Sequence, residues 1–316
     1  MTPPPSPDPS EPEVRRIVLA YSSGLAATDA ISWLADAERA EVVTLTLDLG
    51  QGRALEALRD RALAAGAVRA HVLEVGDAFA NQFVLPALKA GALYHDGRSM
   101  MSGLERALLA EKLVEIARIE QAATVAHGCS PTDRRIALAV QTLRPGATVL
   151  ALPNDVAGAA DCEIVPYAAT GGEKPVEPAF VELTFTNGAP AAINGIPMPL
   201  RDLIDSINML AGPHGLGRGN RFEPPSSVVL YAAQQSLVAA SVSDVDEWKS
   251  TAAAYAGIID RGEWFGDARA ALNASIESRQ SAITGTIRLK FFNGACEIVD
   301  TKVAPAGKIL KVTRKR

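Results

Sequence analysis

Three short stretches of this 316-residue chain hold the residue types from which a ligand site could be assembled. The first, A-Y-S-S-G-L-A-A-T at residues 20–28, joins an apolar run to a helical pattern. A strand, a turn of small residues and a helix amino end together expose unpaired backbone amides and the positive end of the helix dipole, which suits a phosphate group. A tight connection kept small for steric reasons has the same composition, so this turn alone leaves both readings open. The second stretch is T-L-D-L-G-Q-G at residues 46–52, and the third is V-A-H-G-C-S at residues 125–130. If the runs before them are parallel strands of one sheet, all three turns converge on one crevice. His127 reads as a half-buried, satisfied histidine and Cys129 as a small core residue. No catalytic side chain is therefore assigned, and no cysteine stands at a metal-ligand spacing.

The elements that must hold these turns are legible as alternation. Apolar runs at 17–21, 42–48, 70–75, 123–127 and 148–152 alternate with helical patterns over 27–37, 53–65, a stretch ending near Lys89, and 104–117. Strands that read as continuous apolar runs are covered on both faces, so the expected fold class is α/β, a doubly wound, mostly parallel sheet over residues 15–155. A Gly/Pro/Ala-rich stretch, 156–178, is expected to be a linker. A smaller α+β domain should follow over 179–307, with hairpin turns at Asn187-Gly188 and Asn194-Gly195, helical patterns at 200–210 and 268–282, an apolar 228–231 segment, and a closing strand pair at 285–292 and 296–303. Six prolines among residues 1–14 predict a disordered extension, and the five basic residues of 308–316 a solvated tail.

Composition narrows the function. With 48% hydrophobic against 21% charged residues the chain can bury a sizeable core. Its 36 acidic residues exceed its 31 basic ones, for a net charge of -5, so no global positive field exists to hold nucleic acid. No run of about eighteen apolar residues could span a bilayer, and the proline-rich start lacks the pattern of a secretory signal. Three widely spaced cysteines argue against a disulfide framework, and a cytoplasmic protein is expected.

Beyond the three turns, further segments resemble the argininosuccinate synthase family of N-type ATP pyrophosphatases, and the likeness extends from Arg16 to about Val299. They are F-V-L-P-A-L-K-A-G-A-L-Y at 83–94, A-E-K-L-V-E-I-A-R at 110–118, F-V-E-L-T-F-T-N-G-A-P-A-A-I-N-G at 180–195, G-P-H-G-L-G-R at 212–218 and T-G-T-I-R-L-K at 284–290. The resemblance implies a PP-loop nucleotide-binding domain, ATP with Mg2+, and an AMP-forming ligation in two steps: the ureido oxygen of citrulline attacks the α-phosphate of ATP, then the amine of aspartate displaces AMP. It also implies a possible homo-oligomer.

Carried over residue by residue, the family's A-Y-S-G-G-L-D-T-S turn falls on Ala20, Tyr21, Ser22, Gly24 and Thr28, and ATP contacts are implied there and at Leu47 and Gly128. Ser23 replaces a glycine and Ala26 an aspartate, with Asp29 about one helical turn further on. The family's Y-P-L-G-T-S-L-A-R-P lies without a gap on residues 98–107, which implies substrate contacts at Arg98, Ser102 and Arg106. Arg98 and Gly103 replace the tyrosine and serine that grip citrulline. Ser130 and Asp133 match the loop after the histidine, whose glycine-lysine-glycine-asparagine stretch is mostly gone. Phe222 stands for a substrate-site tyrosine. These departures imply a ligase whose substrate has changed or whose activity is reduced, acting on an amino-acid-like small molecule. The alternative is a degenerate paralogue serving as a binding or structural partner of another protein, and authentic citrulline-aspartate ligation comes last.

Overall fold

A computed structural model describes residues 15–21, 25–50, 55–153, 156, 175–217 and 223–304. The proline-rich extension, the basic tail and nearly all of the expected linker lie outside these residues.

The first half alternates as its apolar runs require. Strand β1 (Arg16–Ala20) leads to helix α1 (Leu25–Glu38), then β2 (Glu41–Asp48), α2 (Leu55–Ala64) and β3 (Arg69–Glu74). The chain continues through α3 (Gly76–Ala78), a π-helical stretch (Phe79–Val84) and α4 (Leu85–Lys89). Pro86 lacks an amide donor, and the Leu85 amide reaches back five residues to the Ala80 carbonyl, so the ladder widens locally. A small hairpin, β4 (Tyr94–His95) and β5 (Arg98–Ser99), precedes the long α5 (Met101–Ile119). Then come β6 (Thr124–His127), α6 (Arg135–Leu143) and β7 (Thr148–Ala151).

The sheet order is β3-β2-β1-β6-β7, and every pairing is parallel. Successive strand residues point to opposite faces, so Ile17 and Leu19 pack under α1 with Ile31 and Leu34, while Val18 joins the core on the other face. Each such fully buried aliphatic side chain contributes about 1.5–3 kcal/mol.

The second half holds an antiparallel sheet, β10-β9-β8-β11-β12. Its strands are β8 (Ala179–Thr186), β9 (Ala189–Ile193), β10 (Ile196–Pro197), β11 (Gly285–Phe292) and β12 (Ala295–Val303). The expected turns at Asn187-Gly188 and Asn194-Gly195 are present, each with both residues at positive φ, as two-residue hairpins require. Between β10 and β11 lie α7 (Leu200–Ala211), α8 (Pro225–Ser241), α9 (Val245–Arg261) and α10 (Asp267–Arg279). The 228–231 segment is interior to α8, since its apolar residues continue at helical spacing into Ala233 and Leu237, all buried with Val229 and Leu230. One apolar cluster runs from Val18 and Val43 through α5 to Leu183, Phe185 and Ile287, so the two halves share a core. No helix among the described residues is long and apolar enough to cross a membrane.

Candidate functional site

Because β1 is paired in parallel with both β2 and β6, the turns that follow all three strands open at one sheet edge. Tyr21, immediately after β1, is buried, and its amide donates to the Leu45 carbonyl at 2.8 Å. Its carbonyl accepts from the Thr46 hydroxyl at 3.3 Å, and its own hydroxyl lies 3.3 Å from Thr28 Oγ1 in the first turn of α1. Thus Ala20, Tyr21 and Thr28 are fixed relative to one another, while Ser22, Ser23 and Gly24 lie outside the described residues. That first helical turn holds no acidic residue, so its dipole is not neutralised and it offers no carboxylate to a metal. Leu47 is buried in β2, and the following turn closes with the Gly50 amide donating to Asp48 Oδ1 at 2.8 Å. Gly128, half-buried, follows β6.

Two of the residues expected on the amino-acid side, Arg106 and Asp133, form an ion cluster with Arg135. Asp133 pairs with Arg106 through Nε and with Arg135 through Nε at 2.8 Å and Nη2 at 2.7 Å. Arg106, only 7% exposed in its side chain, also donates to the Ser102 carbonyl at 3.0 Å. Burial pushes the Asp133 carboxyl up, but the hydrogen bonds from Arg135 and the charges of Arg106 and Arg135 outweigh it and hold the pKa at about 2. Arg106 is therefore a buried clamp on the loop after β6, neither a solvated helix-edge charge nor a side chain without a partner. Arg98 stands apart, exposed on β5 with Nη2 4.0 Å from Asp260. Ser130 is exposed, its hydroxyl 2.9 Å from Thr132 Oγ1. At Gly103, a Cβ would meet Ile259 Cγ2 of α9 at 2.6 Å and the Ile259 carbonyl at 3.1 Å, so no side chain fits there. Gly103→Ser should cost about 1–3 kcal/mol through overpacking, read as a lowered urea midpoint with an unchanged slope.

His127 is 2% exposed, and among the described residues its Nδ1 has no hydrogen-bond partner. Burial lowers its pKa to about 4, the Asp133 charge working against this and the Arg106 charge with it. The unfolded imidazole binds its proton near 6.5, so the folded state refuses a proton that the unfolded state accepts. Stability should then be full above pH 6.5 and fall by about 3 kcal/mol as the pH drops to about 4. Unfolding midpoints across this range check the slope, and His127→Asn should flatten it.

Two family models match the chain: the argininosuccinate synthase N-terminal HUP domain over residues 16–172 and the argininosuccinate synthase C-terminal domain over 152–306. Similar relatives are the argininosuccinate synthases of Bacillus thuringiensis (strain Al Hakam), Bacillus cereus (strain 03BB102) and Bacillus mycoides (strain KBAB4). Each is 32% identical over 350 residues, covering 89% of this chain and 86% of the relative. The chain belongs to the argininosuccinate synthase family. The parallel HUP sheet and the smaller antiparallel domain are the two parts of that family's fold.

Several features of this family member escaped sequence reasoning. Arg135 pairs with Asp133 and fixes the start of α6, a helix that the sequence pattern does not announce. Helix α9, whose Ile259 closes the Gly103 position, was also missed. Its signals were present: Asp244 accepts from the Glu247 amide at 2.8 Å as an N-cap, and Gly262 ends the helix at φ 77°. Cys129 corrects the cysteine expectation, since it is disulfide-bonded, while Cys296 is a free, half-buried thiol. Among the described residues no group of three or more His, Cys, Asp or Glu is placed to hold a metal ion.

Proposed function

We propose that this family member is an ATP-dependent, AMP-forming carbon-nitrogen ligase whose amino-acid substrate differs from citrulline. The observation that carries the difference is Ile259 packed against Gly103, the position of the family's citrulline-gripping serine. A substrate pocket that loses a hydrogen-bonding group to an apolar contact loses preference for its polar ligand, because a buried partner left unmatched costs about 1–3 kcal/mol.

On this reading the nucleotide lies along the carboxyl edge of β1, β2 and β6. Ala20, Tyr21, Ser22, Gly24 and Thr28 border its phosphates, and Leu47 and Gly128 flank its base and sugar. The α1 amino end stabilises negative charge as it moves onto the leaving pyrophosphate. A substrate oxygen forms the new bond to the α-phosphorus as the bond to pyrophosphate breaks; an amine then takes the activated carbon and AMP departs. No side-chain nucleophile is required. Mg2+, if bound, would screen the phosphates, held by them and by water, since the first turn of α1 supplies no carboxylate.

The clamp of Arg106 and Arg135 on Asp133 holds the loop carrying Gly128 and Ser130 against α5, so that Ser102 and Ser130 frame the opening for substrate. Fixing such a loop in advance removes an entropic cost from the encounter of the reactants.

The test uses the full chain with ATP, Mg2+ and a panel of amino acids. ATP with Mg2+ should raise the melting temperature, and an amino acid other than citrulline should elicit pyrophosphate release. Rapid conversion of citrulline with aspartate would overturn the altered-substrate reading. Absence of both ATP stabilisation and pyrophosphate release would favour a degenerate paralogue that acts as a binding partner.

A further inference from the structure

A pocket opens between the two halves beside the crevice, at the carboxyl ends of β2 and β3. Its walls are mostly apolar, with Leu49, Phe79, Met101 and Ile204, and Glu105 and Asn208 also line it. At its rim stand Arg201 and Asp205, one helical turn apart on the same face of α7. The Arg201 side chain is 17% exposed and lies directly over the backbones of Gly50 and Gly76, where any Cβ would run into its guanidinium. Two glycines thus form a floor that places this group beside the L-D-L-G turn.

Its ionic contacts within the chain are long. Nη1 is 3.5 Å from Glu74 and Nε is 3.6 Å from Asp205, and those carboxylates are 75% and 51% exposed. Pairs of that kind contribute little to stability, and they leave the planar fork able to take a carboxylate by paired hydrogen bonds. Burial raises the Asp205 pKa, Arg201 lowers it, and the charges of Asp202 and Asp77 raise it again. Glu105 and Asp205 line the pocket, Glu74 lies beside Arg201 and the charges of Asp77 and Asp202 reach Asp205, so a simple anion meets repulsion. A zwitterion does not, because its ammonium faces Asp205 while its carboxylate faces Arg201.

We propose that this pocket binds an α-amino acid with an aliphatic side chain, its carboxylate on Arg201, its ammonium on Asp205 and its side chain among the apolar walls. The inference deepens the ligase reading by naming the class of amino acid, and it rests on that reading only for the role of the ligand, not for its binding.

Calorimetric titration of the full chain without nucleotide tests it. L-Alanine, L-2-aminobutyrate, L-norvaline and L-norleucine should bind with affinity rising about fourfold per methylene. Hexanoate, which lacks the ammonium, and pentylamine, which lacks the carboxylate, should each bind at least about tenfold more weakly than L-norleucine. Arg201→Gln and Asp205→Asn should each weaken L-norleucine by at least about tenfold, with Arg201→Lys intermediate and the unliganded melting curves still cooperative. No binding of L-norleucine, binding indifferent to Arg201→Gln, or tighter binding of inorganic phosphate or L-citrulline would overturn the proposal. L-Norleucine binding without pyrophosphate release on addition of ATP would support this pocket and sink the ligase reading. Pyrophosphate release driven by a polar amino acid, with no L-norleucine binding, would do the reverse.

Discussion

Replacing Asp133 by asparagine is expected to destabilise the protein by about 4 kcal/mol, because removing one partner of a buried ion cluster leaves the other charges without compensation. Asparagine keeps the shape and can still accept from the Arg135 amide, which lies 3.2 Å from Oδ1. What it removes is the negative charge between two guanidinium groups whose side chains are 7% and 23% exposed. Urea unfolding at pH 7 should show a lower midpoint with an unchanged slope. Acid should remove the same interaction from the unaltered protein. The folded carboxyl titrates at about 2 against 3.8 in the unfolded chain. Its contribution is therefore complete above pH 4 and lost as the pH falls towards 2. Asp133→Asn should abolish that part of the acid limb, while the His127 part persists and deepens, because the Asp133 charge no longer raises the imidazole pKa. A loss below 1 kcal/mol would mean that the cluster is solvated and does not hold the loop.

The parallel sheet was legible because its strands are buried on both faces and their apolar runs are uninterrupted, as in Val42 to Leu47. The hairpins were legible because asparagine-glycine pairs adopt positive φ at little cost. What pattern could not reveal is where charges find partners. Arg106 sits in a helix whose residues from Gly103 to Ala110 are all buried, and only the placement of Asp133, 27 residues on, explains how a guanidinium is tolerated there. Arg201 is similar. On the sequence it is one charge at the start of an amphipathic helix, and its position over Gly50 and Gly76 depends on how the second half docks on the first. Helix α9 was hidden for another reason: its polar and alanine-rich middle dilutes the apolar stripe of Trp248, Tyr255, Ile258 and Ile259 that packs inward.

That helix also controls the site loop from behind, and Gly262→Ala should expose the control. Gly262 ends α9 at φ 77°, its amide donating to the Ile258 and Ile259 carbonyls. A Cβ at this position would meet Arg135 Cα at 2.6 Å and the Arg135 carbonyl oxygen at 2.8 Å. The left-handed conformation costs a residue with a side chain about 1–2 kcal/mol. The clash is with backbone at the first residue of α6, so it cannot be relieved by rotating a side chain and adds about 1–3 kcal/mol. A total near 4 kcal/mol is expected. Moving Arg135 also moves its hydrogen bonds to Asp133, so the two substitutions act on one element. In a double-mutant cycle, Gly262→Ala and Asp133→Asn should together cost at least about 1 kcal/mol less than the sum of their separate effects. Additivity within about 0.5 kcal/mol would show instead that the α9 end and the Asp133 cluster are independent, and that the loop beside Gly128 is positioned by α5 alone.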